Sequence, residues 1–183
     1  MADPNRTNDQ SSESGNGVHI VDPNNPQSLG LLTKAYRSIY KAAIPANARE
    51  PLEDWVDSLS GGNEVANMVV GILGESLDSA NPILKGMAVG YYYKKQDAAL
   101  LAYTLMDPQY SDQEELERAM LNITTAALQD VSANNGGKIS GVFIEADDPK
   151  KISSGEDSEA AAERLRAFRD LGAKIVNIDY VAP

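Results

Sequence analysis

The feature that most constrains the fold is a change of hydrophobic period along the chain. Between residues 29 and 59 the apolar residues recur every three to four positions, as in amphipathic helices. From residue 68 onward they alternate, in three segments at 68–75, 84–94 and 99–106. The polar residues 95–97 between the last two segments have the composition of a hairpin turn. The pattern therefore predicts an antiparallel meander of three strands.

Helices and further strands are predicted on both sides of this meander. Apolar spacing, prolines and glycines predict a strand at 18–21, a helix between Pro26 and Pro45, a helix at 50–59, a helix at 112–132, a strand at 139–146, a helix at 157–171 and a strand at 174–181. This order predicts an α/β (α+β) fold, a mixed, largely antiparallel central sheet with helices on both faces. We expect one domain over 17–183 and a disordered polar tail over 1–16.

Composition narrows the classes of function. The formal charge of −11 disfavours binding to nucleic acid or to an anionic membrane surface. No segment approaches the roughly 20 apolar residues of a membrane span, and the polar start lacks a signal-like apolar region, which predicts a cytoplasmic protein. With no cysteine and one histidine, no metal site is expected. Acid–base chemistry must come from carboxylates, tyrosine, lysine, backbone or water.

Three segments resemble one known family over most of the chain, residues 18–183. AALLAYTLMDPQY (98–110) looks like the fourth strand of the GNAT N-acetyltransferases and the entry to their cofactor loop. AERLRAFRDLGAKIVNIDYVAP (162–183) is similar to their final helix-glycine-strand unit, and REPLEDW (49–55) to members with long first helices. The resemblance implies an acyl-CoA-dependent N-acyltransferase that uses acetyl-CoA to acetylate the amine of a small molecule or a protein lysine.

The resemblance also implies which residues would hold the cofactor. Leu105, Met106 and Asp107 match the strand whose backbone N–H groups contact the thioester carbonyl and the pantetheine arm, with Met106 at the carbonyl by position. Gln113 and Arg118 match the loop and the helix start that follow, and complete the predicted cofactor-binding set.

The loop before the third family helix departs from the family pattern. Members of the family have a motif similar to Arg/Gln-x-x-Gly-x-Gly/Ala at this position. The backbone N–H groups of that loop hold the pyrophosphate of CoA. Residues 111–117 contain no glycine and four carboxylates, those of Asp112, Glu114, Glu115 and Glu117. Ser111 and Glu114 have the spacing of a capping box, which predicts a self-capped acidic helix start that opposes an anionic cofactor. This favours the alternative of a catalytically lapsed GNAT-fold protein that serves as a binding or regulatory module.

Two more departures lie near the end of the chain. Phe168 occupies the position at which many members have a tyrosine that protonates the departing thiolate, and its ring is predicted to pack in the core. Relatives often continue with a further strand after the stretch that ends here at Pro183. We therefore expect a fragment or shortened member of the family, or an edge completed by another chain, as in a homodimer.

The candidate bases are two glutamates at strand positions. Glu145 lies on the apolar segment ISGVFIEA, where it is a general base, a residue at an open strand end or a structural hydrogen-bonding group. Glu75 ends the segment MVVGILGE and is the second candidate.

Two further groups of residues each allow two interpretations. The tyrosines at 91–93 line an acceptor pocket or belong to the core, which is commoner on a central strand. Asp147, Asp148 and Asp157 bind a cation or form a solvated loop, and their spacing is not that of an EF-hand. A non-GNAT α/β domain with the same element order is the remaining alternative for the fold.

Overall fold

The computed structural model describes residues 16–111, 113–146, 149–151, 155–170, 172–174 and 176. The chain divides into two compact units, Met1–Phe143 and Ile144–Pro183, and each is described by itself. Of the predicted tail at 1–16 only Asn16 is described, and it begins the first strand. Apart from Lys174 and Val176, the predicted final strand at 174–181 lies outside the described residues.

The elements follow the predicted order. They are β1 (Asn16–Ile20), α1 (Pro26–Ala35), a π-helical segment (Tyr36–Tyr40), α2 (Lys41–Ala43), α3 (Leu52–Leu59), β2 (Ala66–Glu75), β3 (Ile83–Tyr93), β4 (Ala98–Met106), α4 (Glu114–Asn134), β5 (Gly141–Ile144) and α5 (Gly155–Asp170). The predicted meander is confirmed, and Asp97 with a φ of 46° lies in its hairpin turn. β5 is shorter than the predicted segment at 139–146.

The sheet is mixed, as predicted, with the strand order β1-β2-β3-β4-β5. The first four strands pair antiparallel with their neighbours. Ser140, directly before β5, donates its N–H to the carbonyl oxygen of Asp97, directly before β4, at 2.7 Å. Because both strands start at the same end of the sheet, β5 runs parallel to β4.

One face of the sheet is covered by α1, the π-helical segment and α3. Side chains of alternate residues on β2 and β3 form a core with these helices, among them Val70 and Val89, which are fully buried. Trp55 and Tyr40 are the largest fully buried side chains of this core. The Asn25 side chain caps α1 by accepting from the N–H groups of Gln27 and Ser28.

The other face is covered by α4, which packs against glycines. A Cβ atom added at Gly71 would lie 2.4 Å from Thr124 Oγ1, and one at Gly90 would lie 2.7 Å from Leu128 Cδ1. On this helix Ile123 is 41% exposed, whereas its neighbour Thr124 is fully buried. Since the glycines allow close approach, the helix turns small Thr124 rather than bulky Ile123 toward the sheet.

In the second unit, α5 ends as predicted at Gly172. This residue has a φ of 89°, and its N–H and that of Ala173 bond back to the carbonyls of Arg169 and Phe168. Phe168 is buried, in agreement with the predicted core role of its ring. Among the helices within the described part of the chain, none combines the length and apolar character needed to cross a membrane.

Candidate functional site

The outer edge of β4 carries the residues predicted to meet the acyl group. The Asp107 N–H donates to the Lys85 carbonyl oxygen on β3 at 2.8 Å. Because backbone N–H groups alternate along a strand, the N–H of Met106 points away from β3, toward the edge shared with β5. β5 has only four residues and starts beside the beginning of β4. The last residues of β4 therefore extend past β5.

The side chains of the predicted acyl-binding segment serve the fold. Leu105 packs against the core under α1 and α3, whereas Met106 packs on the opposite face with the start of α4. The Asp107 carboxylate accepts from the Gln109 N–H at 2.9 Å and caps the short turn Pro108–Tyr110. Any contact of this segment with an acyl group would therefore come from its backbone.

The start of α4 differs from the predicted capping box. The helix begins at Glu114, and the side chain of its N-cap residue, Gln113, makes no capping hydrogen bond with the described residues. The Ser111 hydroxyl instead donates to the Pro108 carbonyl at 3.1 Å. The capping-box prediction is wrong because Glu114 is the first helical residue instead of the third, so its side chain cannot reach back to Ser111.

The acidic character of this helix start is retained. Gln113, Glu114, Glu115 and Arg118 are all exposed. An open groove at this end of α4 is lined by Asn16, Gln113, Glu114, Glu115 and Leu116. Asp112 lies outside the described residues. The predicted pair Gln113 and Arg118 thus lies at the helix start, next to two exposed carboxylates.

Glu75, one of the two candidate bases, is engaged in an ion pair. Its carboxylate accepts from the ammonium group of Lys85, which is buried and also donates to Asn16 Oδ1 at 2.6 Å. Lys85 Nζ lies 4.8 Å from the ring centroid of Tyr110. Lys85 was missed in the sequence, although a lysine within an apolar strand is a recognisable signal. A catalytic role for Glu75 stays a prediction.

Glu145, the other candidate base, belongs to the second unit. It directly follows β5 and is exposed. Its catalytic role also stays a prediction. Asp147, Asp148 and the Asp157 side chain, which were considered for a cation, lie outside the described residues. Within the described parts of both units, no group of three His, Asp or Glu side chains is placed to hold a metal ion.

A carboxylate that sequence reasoning did not select is the centre of a hydrogen-bond cluster. Glu50 accepts from Trp55 Nε1 at 2.7 Å, from the Tyr103 hydroxyl at 3.0 Å and from the Tyr91 hydroxyl at 3.3 Å. We call Glu50, Trp55, Tyr91 and Tyr103 the Glu50 cluster. The neighbouring tyrosines predicted together at 91–93 therefore have different surroundings. Tyr91 is half-buried in the Glu50 cluster, whereas Tyr92 is fully buried on the opposite face of the sheet.

Backbone contacts hold Glu50 in place. The Tyr36 hydroxyl donates to the Glu50 carbonyl at 2.5 Å, and the Glu50 N–H donates to the Tyr40 hydroxyl at 2.9 Å. Tyr40 also packs against Trp55, with ring centroids 4.6 Å apart. Glu50 lies in the loop before α3, far in sequence from Tyr91 and Tyr103, so no local pattern could have joined these residues.

Burial and the Glu50 charge act on the two phenols. Burial raises the pKa of the Tyr91 hydroxyl well above its ordinary value, and the Glu50 carboxylate raises it further. Burial likewise raises the pKa of the Tyr103 hydroxyl, with added contributions from hydrogen bonds to Tyr40 and Glu50. Both phenols therefore remain neutral hydrogen-bond donors across the physiological range.

No protein-family model matches the chain, and no curated protein matches it. Among solved structures, it is similar to the ribosomal-protein-S18-alanine N-acetyltransferase from Escherichia coli, with 16% identity, coverage of 82% of this chain and 76% of that one, and a TM-score of 0.46. It is also similar to AAC(6')-Iy in complex with a CoA bisubstrate analogue (12% identity, 92% and 100% coverage, TM-score 0.47). A third similar structure is the ribosomal-protein-alanine N-acetyltransferase from Brucella melitensis. It has 13% identity, coverage of 92% of this chain and 99% of that one, and a TM-score of 0.45. The order of strands and helices described above confirms the predicted α/β fold, a mixed, largely antiparallel sheet with helices on both faces.

Proposed function

We propose that the protein is an acyl-CoA-dependent N-acyltransferase that transfers an acetyl group from acetyl-CoA to an amine of a small molecule or to a protein lysine. The observation that supports this most directly is the outer edge of β4, where the Met106 N–H points away from β3 and the strand extends past β5. A backbone donor in that position is suited to polarise a thioester carbonyl. A cytoplasmic location and a homodimer are further parts of the proposal.

The proposed reaction is a direct transfer. The neutral amine attacks the thioester carbon, and the N–H of Met106 stabilises the negative charge that develops on the oxygen. The carbon–sulfur bond then breaks, and the CoA thiolate takes up a proton, while the new amide nitrogen loses one. Glu145 and Glu75 are the carboxylates proposed for proton removal from the amine. Phe168 has no proton to donate, so water is the proposed acid for the thiolate.

The start of α4 favours a second candidate, a binding or regulatory module that no longer catalyses. Glu114 and Glu115 are exposed in the first turn, where relatives of the resembled family would hold a pyrophosphate. The negative charge of these exposed carboxylates would oppose an anion at this end of the helix. Charge repulsion can be tested by substitution.

A titration with acetyl-CoA separates the two candidates. The enzyme predicts saturable binding at micromolar concentration by calorimetry, a matching rise in melting temperature and acetylation of an amine. Absence of heat and of a melting shift at millimolar acetyl-CoA would contradict the acyltransferase and support the lapsed module.

The acidic helix start is tested by neutral substitutions that preserve side-chain shape. Replacing Glu114→Gln and Glu115→Gln together should raise the affinity for acetyl-CoA by roughly 3- to 10-fold at low salt, and by less at high salt. The matched control is Asp130→Asn, an exposed carboxylate nearer the other end of the same helix, which should leave the affinity unchanged. If the double variant and the Asp130→Asn control changed affinity equally, the charge at the start of α4 would not be the cause of weak acetyl-CoA binding.

A further inference from the structure

Within the described part of the chain, the Glu50 carboxylate has hydrogen-bond donors around it but no ion-pair partner. Its three hydrogen-bond partners, Trp55, Tyr91 and Tyr103, are neutral groups. Among the residues that the structure describes, no Lys, Arg or His side chain forms a salt bridge with it, although Arg49 is its neighbour in sequence. The Arg49 guanidinium is directed elsewhere and donates to the carbonyls of Ile44 and Lys41.

The hydrogen bonds described above leave one acceptor position of the carboxylate unused. A carboxylate has about four acceptor positions, and three of them are used here. Glu50, Tyr91 and Tyr103 are half-buried, so this cluster lies partly at the surface of the protein. The aromatic surroundings exclude part of the water, which strengthens the attraction between the carboxylate and an ammonium group.

A purely structural acceptor would not need the charge. Placing an ion among aromatic rings without a counter-ion costs free energy, whereas a neutral acceptor avoids that cost. A bound ammonium group would offset it by adding a charge-assisted hydrogen bond. The uncompensated charge is thus the feature that points to a ligand.

We propose that the Glu50 cluster binds a primary ammonium group of the acyl acceptor, at a position separate from the amine that is acetylated. Tyr103 lies three residues before Met106, which is about 10 Å along an extended strand. One amine cannot occupy both positions. The acceptor is therefore a compound with two amino groups separated by a chain of that order of length. The role as acceptor anchor rests on the proposed function, but the binding of the cation does not.

The test uses Trp55, the only tryptophan in the sequence. Its indole N–H donates to Glu50, so its single cross-peak in a proton–nitrogen NMR spectrum reports on the carboxylate. The full chain is titrated with 1,8-diaminooctane and, as a neutral match, with 1,8-octanediol, both without acetyl-CoA. We expect a saturable shift of the indole signal with the diamine and none with the diol. No saturable shift up to about 10 mM diamine, or equal shifts with both compounds, overturns the proposal.

Two variants test whether the diamine binds at the Glu50 carboxylate. Glu50→Gln should weaken diamine binding at least about 10-fold, whereas Glu53→Gln, which removes an exposed carboxylate from the nearby first turn of α3, should leave it unchanged. Undiminished binding to a folded Glu50→Gln protein overturns the proposal. If this variant does not fold, the diamine and diol titrations of the unaltered protein decide it. Failure of acetyl-CoA to bind would reject the proposed acyltransferase and leave the cation site standing.

Discussion

The two faces of the first unit's sheet are built by opposite means. Under α1 and α3 the strands present large side chains, and these meet Trp55 and Tyr40 in an aromatic core. Under α4 the same strands present glycines such as Gly71 and Gly90, and the helix approaches closely. The aromatic face holds polar atoms at defined positions above the sheet, as in the Glu50 cluster. The glycine face mainly brings α4 close, although the Tyr92 hydroxyl on this face donates to the Asp97 carboxylate at 2.8 Å. Chemistry directed by side chains is therefore expected on the aromatic face.

The largest effect is expected from removing a ring on the aromatic face. Trp55→Ala should lower the free energy of unfolding by about 3–5 kcal/mol, because it leaves a cavity at a 1% exposed position and removes a donor to Glu50. Urea denaturation measures this loss. Val65→Ala, at a 65% exposed position, is the control and should change stability little. If Trp55→Ala lowered the free energy of unfolding as little as the control does, the Trp55 ring would not be a main contributor to the stability of this core.

The glycine face should respond to added volume. Gly71→Ala should cost about 1–3 kcal/mol, because the new methyl group would meet Thr124 Oγ1 at 2.4 Å. Gly30→Ala in α1 is the matched control, since nothing lies within 4 Å of its added Cβ and alanine favours a helix by roughly 0.5–1 kcal/mol. The two substitutions should shift the urea midpoint in opposite directions, and a shift in the same direction would count against close packing of α4.

A single hydroxyl of the Glu50 cluster should have a smaller effect. Tyr103→Phe should lower stability by about 0.5–1.5 kcal/mol, because it removes one hydrogen bond to the carboxylate and keeps the ring. Tyr93→Phe serves as the comparison, as its hydroxyl forms no hydrogen bond with any described residue. If thermal melting does not separate the two variants, the Tyr103 hydrogen bond contributes nothing to stability.

The smallest effect is expected from alkaline pH. The folded-state pKa values of Tyr91 and Tyr103 are raised above the ordinary 10.0, so the unfolded chain loses these protons first. Their stabilising contribution is complete below pH 10 and declines as the pH rises above it. Melting temperature followed from pH 9 to 11 should fall less steeply in Tyr91→Phe than in the unaltered protein. Identical slopes would contradict a raised Tyr91 pKa.

Prediction from sequence succeeded where the signal was local. Alternation in 68–106 and the turn at Asp97 defined the meander, and Gly172 was identified as the end of α5. It failed at the start of α4, because a capping box depends on where the helix begins. Ser111 and Glu114 have the spacing of a capping box, but the helix begins at Glu114 and not directly after Ser111.

The chain alone was sufficient for the class of fold, because the period of apolar residues and the positions of proline and glycine act over a few neighbours. The residues of the β4 edge, such as Met106, were named from the family resemblance, and their role stays a proposal. The Glu50 cluster could not, because Glu50, Tyr91 and Tyr103 come from a loop and two strands that meet only after folding. Their hydrogen bonds join residues 41 and 53 positions apart, and no pattern of neighbouring residues encodes such a contact.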